Sequence, residues 1–79
     1  MKFNVGDKVR WTSQAGSYSK TKEGVVVIVI PENNFVDHWI PYGFKVDGAL
    51  GRRKHESYLV RIGKRTNLNW PRVVHLEKI

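Results

Sequence analysis

A chain of 79 residues leaves room for one domain, and at this length folding buries only about 60–65% of the surface the unfolded form exposes. With no cysteine, disulfides and thiolate metal sites are excluded, so packing alone must hold the core. Fourteen Lys and Arg against seven Asp and Glu give a formal charge of +7, which favours association with polyanions, against the plainer reading of solubility alone.

The first residues, Met1 to Lys8, contain no apolar leader core. The longest apolar run, Val25 to Ile30, is far shorter than the roughly 18 residues a membrane span needs. The expectation is a soluble, cytoplasmic protein. Val5 to Trp11 reads as a turn and then a strand, with Val9 and Trp11 on one face and Lys8 and Arg10 on the other. Thr12 to Lys22 is rich in Gly, Ser and Thr without an apolar period, which predicts a long loop of the kind that often carries function.

Val25 to Ile30 are six consecutive β-branched residues. Two heavy atoms on each Cβ restrict χ1 against a helical turn and suit a pleated strand. Gly24 opens this strand and Pro31 ends it by removing a ladder donor. Both parities are apolar, so both faces must be covered, either in a central strand or in a closing barrel.

Pro31 to Asn34 is turn chemistry, and Phe35 to Gly43 is aromatic-rich but broken by Pro41 and Gly43. That stretch is expected to pack as an insertion over one end of the barrel. Phe44 to Val46 predicts a short strand before an Asp47-Gly48 turn, with Leu50 isolated after it. After the basic run Arg52 to His55, Glu56 to Ile62 is a strand with Tyr58, Val60 and Ile62 on one face and Arg61 on the other. Gly63 to Asn67 is a basic turn, Leu68 to Trp70 starts another strand that stops at Pro71, and Val74, Leu76 and Ile79 are the expected anchors of the closing segment. No apolar pattern of helical spacing exceeds one turn. The predicted fold is all-β: a small barrel of four to six antiparallel strands over residues 1–79, with a long insertion after the second strand.

Four segments carry a resemblance to a known family. They are Val5-Gly6-Asp7-Lys8-Val9, Lys22-Glu23-Gly24-Val25-Val26, Tyr58-Leu59-Val60-Arg61-Ile62 and Val74-His75-Leu76-Glu77-Lys78-Ile79. Together they resemble the SH3-like barrels of the KOW and Tudor type, from which the chain departs by the insertion between Pro31 and Ser57. His-Glu-Ser-Tyr-Leu-Val and Trp-Pro-Arg-Val also make the whole similar to short uncharacterised bacterial and phage-encoded proteins. The resemblance implies a binding module, and such barrels bind RNA, DNA, peptides and proteins alike.

The strongest constellation interleaves basic and aromatic residues. Arg52, Arg53, Lys54, Arg61, Lys64, Arg65 and Arg72 accompany Tyr58 and Trp70, and Lys20 and Lys22 precede the apolar strand. Cations neutralise phosphates while exposed rings stack on unpaired bases, so these eleven residues are the candidate nucleic-acid contacts. The competing reading makes Tyr58 and Trp70 core residues and the charges a solvated surface. No recognition helix is predicted, so sequence-specific readout is not expected.

A second cluster, Trp39, Tyr42 and Phe44 beside His38, admits three readings: a cap on the core, a protein-contact patch, or a cage for a methylated cation with Asp37 or Asp47 as counter-charge. The protein-contact reading pairs with an acidic protein surface as the partner. His38, His55 and His75 lie far apart without ligand spacing, so no metal is expected. His55 and Ser57 share a strand face that Glu56 does not, and no phosphate-cradling glycine loop is present. Neither an enzyme, a cofactor nor a small-molecule substrate is expected.

Overall fold

The β-branched run from Val25 to Ile30 has no exposed residue, as its two apolar parities require. The computed structural model describes residues 3–15, 18–46 and 51–79. Six strands follow one another: β1 (Lys8–Ala15), β2 (Tyr18–Ile30), β3 (Lys45–Val46), β4 (Ser57–Arg61), β5 (Asn67–Leu68) and β6 (Glu77–Lys78). Two short 3₁₀ turns, Val36–Trp39 and Val73–His75, interrupt them. The fold is all-β. Its main sheet has the order β4-β2-β1-β6 and is antiparallel throughout.

One extra residue in β2 decides what each side of the ribbon covers. Val26 pairs with Val60 and Ile28 with Leu59, so Val27 bulges out of the ladder. Without it, Val26, Ile28 and Ile30 would share a face, because side chains alternate along a strand. With it, Val26 and Val29 pack with Val9, Trp11, Tyr58, Val60, Val73 and Leu76, whereas Val27, Ile28 and Ile30 pack with Val36, Leu59 and Leu68. None of the six is exposed. The ribbon thus separates two apolar clusters, and β4 contributes alternate residues to each.

Gly24 sits where the backbones of β2 and β4 come closest. A Cβ there would lie 2.6 Å from Val60 Cγ1 and 2.7 Å from the carbonyl oxygen of Arg61. Gly24→Ala is expected to destabilise the fold by about 1–3 kcal/mol, the cost of overpacking a filled site. Urea denaturation reads this directly, and an unchanged midpoint would contradict the close approach.

The segment expected to be a loop is instead a β-ribbon. Residues 12–15 of β1 pair with residues 18–21 of β2 in continuous register up to Ala15 opposite Tyr18. β6 pairs only with Val9 and Arg10, and β4 only with Val25 to Ile30, so this part of the hairpin projects beyond the other strands. Its pairing is carried by the backbone ladder, which needs no apolar period, and Thr12 and Thr21 favour extended chain.

The closing segment also differs from expectation. Val73 and Leu76 are buried, whereas Val74 is 79% exposed and Ile79 is exposed as well. The 3₁₀ turn Val73–His75 replaces the two-residue alternation with a three-residue repeat, which puts Val73 and Leu76 on one side. β3 and β5 pair parallel, unlike the antiparallel arrangement predicted for every strand. An antiparallel bridge joins Val60 of β4 to Asn69. Among the described residues the ladders do not join into a closed ring. The predicted Asp47-Gly48 turn and Leu50 lie outside the described residues.

Candidate functional site

Arg53 is fixed from both ends. Its backbone runs beside the insertion: Asn33 N–H donates to the Arg53 carbonyl at 2.8 Å, Val36 N–H donates to the Gly51 carbonyl at 3.0 Å, and Phe35 bridges Arg52. Its guanidinium reaches the chain that leads to the C-terminus. Nη1 donates to the Pro71 carbonyl at 2.8 Å and Nη2 to that of Trp70 at 2.9 Å, while the group stacks over the Trp70 indole at 3.8 Å. Reciprocal hydrogen bonds between Val60 and Asn69, both 2.9 Å, hold that chain against β4. Arg53 therefore clasps the insertion to the C-terminal segment.

The clasp needs a planar fork. Lysine offers a point charge that can neither bridge two carbonyls nor lie flat on an indole. Arg53→Lys is expected to lower stability by about 1.5–3 kcal/mol, the range for hydrogen bonds made by charged groups. A thermal melt is the check, with equal melting temperatures as the contrary result.

Beside the clasp lies an open concavity of about 380 Å³ lined by Arg53, His55, Arg72, Val73 and Val74. Its polar side chains are all basic. Burial holds the Arg53 guanidinium below the usual arginine value, and the charge of Arg72 pushes it the same way. Arginine remains charged at neutral pH even so. Among the described residues the ion pairs are Arg10 with Glu77 at 3.0 Å and Lys78 with Asp7 at 3.6 Å. Neither involves a cation of the concavity, so two guanidiniums converge there without a described counter-charge.

The remaining expected contacts are distributed in three places. Arg52 and Lys54 are exposed in the same segment as Arg53, with Arg52 over the Phe35 ring at 5.2 Å. Lys64 and Arg65 are exposed on the turn beyond β4, roughly 17 Å from its start if five residues rise about 3.3 Å each. Lys20 and Lys22 lie on the ribbon, with Lys22 opposite Trp11 in the register. Arg61 supports its neighbours: Nε donates to the Arg65 carbonyl at 3.0 Å, Nη2 to that of Lys64 at 3.1 Å, and the group lies over Phe44 at 5.1 Å. It closes the turn in which Gly63 adopts φ 58°, a left-handed conformation that glycine takes without strain.

Tyr58 is a correction. At 1% exposure it offers no face for a base; it packs edge-on against Phe3 at 5.1 Å, and its hydroxyl donates to Glu56 Oε1 at 2.6 Å. A ring on a strand whose two faces are both covered has no route to the surface. Trp70 is half-buried, with Arg53 over one face and a buried Nε1–H that has no hydrogen-bond partner among the described residues. Its role is to seat Arg53.

Trp39, Tyr42 and Phe44 do not converge. Phe44 packs against the Leu59 and Leu68 cluster, Tyr42 stands fully in solvent at 103%, and Trp39 is 36% exposed with its indole N–H donating to Asn34 Oδ1 at 3.4 Å. No ring contact joins any two of them among the described residues. Sequence reasoning missed Phe35, which is 43% exposed against His38, and it also missed His55, Val73 and Val74 of the concavity. His55 was legible as the end of a basic run. The valines were hidden because their placement depends on the 3₁₀ turn.

Among the described residues, no three His, Asp or Glu side chains gather as a metal-binding group, and no helix is long and apolar enough to cross a membrane. Compared with protein-family models, curated proteins and solved structures, the chain matches none.

Proposed function

We propose that this protein is a non-enzymatic nucleic-acid-binding module, built on a small SH3-like barrel and acting in the cytoplasm without sequence preference. The observation that supports this most is the concavity beside the Arg53 clasp, where Arg53, Arg72 and His55 meet with no carboxylate among its lining residues. Converging cations with no described counter-charge repel one another, and a polyphosphate relieves that repulsion. Arg52 and Lys54 add exposed charge to the same segment, and Lys64 and Arg65 supply a second footing beyond β4. Phosphate contacts of this type bind DNA or RNA through the backbone and carry no base readout.

Fluorescence anisotropy with short single- and double-stranded oligonucleotides at low salt tests the reading. Micromolar affinity is expected for at least one of them, since non-specific binding of this kind has dissociation constants of roughly 10⁻⁴–10⁻⁶ M even at physiological salt. Affinity no tighter than millimolar would remove it.

A second reading rests on the insertion. Phe35, Trp39 and Tyr42 are exposed there, with Arg52 and His38 beside the Phe35 ring. Exposed Trp, Tyr and Arg are the residues that dominate protein interfaces, and the surrounding positive charge would steer an acidic host protein towards them, as a phage-encoded adaptor requires. Pull-downs separate the readings. A partner retained after nuclease treatment favours the second; its loss favours the first.

A further inference from the structure

Resting on the nucleic-acid reading, we propose that the Arg53–Arg72 concavity is a subsite for a terminal nucleotide, and that it selects a phosphomonoester end over an internal phosphodiester. Three observations carry this. Arg53 has five N–H donors, of which two are spent on the Trp70 and Pro71 carbonyls, so three have no acceptor among the described residues, in an orientation fixed by the indole beneath. Arg72 lines the same hollow and is exposed, with His55 as a further nitrogen donor or acceptor. Val73 and the exposed Val74 form an apolar wall beside these groups.

Charge decides between the two kinds of phosphate. A phosphomonoester carries about −1.5 to −2 at neutral pH, whereas each backbone phosphodiester carries −1. Two guanidiniums are balanced by the former and left in excess by the latter. Size agrees, because about 380 Å³ is at the lower end of ligand pockets and exceeds the needs of a bare phosphate. The surplus volume and the valine wall suit the sugar or base that follows. Burial of Arg53 and the charge of Arg72 both depress the Arg53 pKa, which is the strain that a dianion would relieve.

The test uses the intact protein and one oligonucleotide sequence prepared with a 5′-phosphate, a 3′-phosphate or hydroxyl ends, together with inorganic phosphate and a nucleoside 5′-monophosphate as competitors. At least one phosphorylated end is expected to bind about tenfold or more tightly than the hydroxyl form, since the gain is a set of charge-assisted hydrogen bonds. The mononucleotide should compete better than inorganic phosphate. Arg72→Gln, which leaves the Arg53 clasp in place, should bring the phosphorylated and hydroxyl-ended strands to one affinity, the hydroxyl-ended strand itself weakening by the loss of a single phosphate contact. Equal affinity for all three strands would overturn the subsite and leave the general nucleic-acid reading standing. Mononucleotide binding that Arg72→Gln removes, in a protein that binds no oligonucleotide, would overturn that general reading and retain the pocket.

Discussion

Tyr58→Ala is expected to cost about 3–5 kcal/mol, the range for removing a large aromatic from a filled core. A chain of this length has a total stability of roughly 4–12 kcal/mol, so the variant loses a large share of it and unfolds at 25 °C if the parent stands at the lower end. Tyr58 bears this weight for three reasons. It is fully buried in the cluster with Val9, Trp11, Val26 and Val60, its ring meets the edge or face of Phe3 at 90°, and its hydroxyl donates to the Glu56 carboxylate. Tyr58→Phe keeps the packing and loses that hydrogen bond, so it should cost about 1.5–3 kcal/mol. Circular dichroism during urea unfolding ranks the three proteins. An alanine variant as stable as the parent would show that Tyr58 lies at the surface, where a stacking residue belongs.

Raising salt from 50 to 200 mM is expected to weaken nucleic-acid binding by about 40-fold to 500-fold. The estimate follows from how many cations are free to act. Arg52, Lys54, Lys64, Arg65 and Arg72 are exposed, and none has a described carboxylate partner. With three to five of them on duplex phosphates, log K should fall by about 2.7–4.5 for each tenfold rise in salt. The upper figure requires the strand to span β4, from the concavity to the Gly63 turn. The lower figure means that the concavity and its neighbours act alone. Affinity that does not change with salt would rule out phosphate contacts as the source of binding.

The β-branched run was the most legible part of the sequence. Six such residues in a row have few conformations open to them, and their two apolar parities dictate cover on both faces. The alternation of Val9 and Trp11 with Lys8 and Arg10 was equally direct. Legibility failed wherever the period of two was broken. The bulge at Val27 and the 3₁₀ turn at Val73 each shift side chains from one face to the other; no glycine or proline lies in either, and Pro71 announced only the end of a strand. The pairing of residues 12–15 with 18–21 failed for another reason, since a backbone ladder forms without an apolar pattern.

Residues of the candidate site divided along similar lines. The basic run Arg52 to His55 was visible as charge, but the meeting of Arg53 with Trp70, Pro71 and Arg72 is a long-range event set by the Val60–Asn69 pairing. Arg61 counted as a phosphate contact on charge alone, yet two of its five donors go to the Lys64 and Arg65 carbonyls and its guanidinium lies over Phe44. Composition identifies cations. It does not say which of them are already occupied.

Chemical-shift mapping of the ¹⁵N-labelled protein with a short oligonucleotide is the most direct test of the binding surface. The largest changes are expected at residues 52–55 and 70–74, including the Trp70 indole N–H beneath Arg53, with smaller ones at 63–65. Changes confined to the ribbon at 18–22 or to the aromatic insertion at 35–42, with the Arg53–Arg72 concavity unmoved, would contradict it.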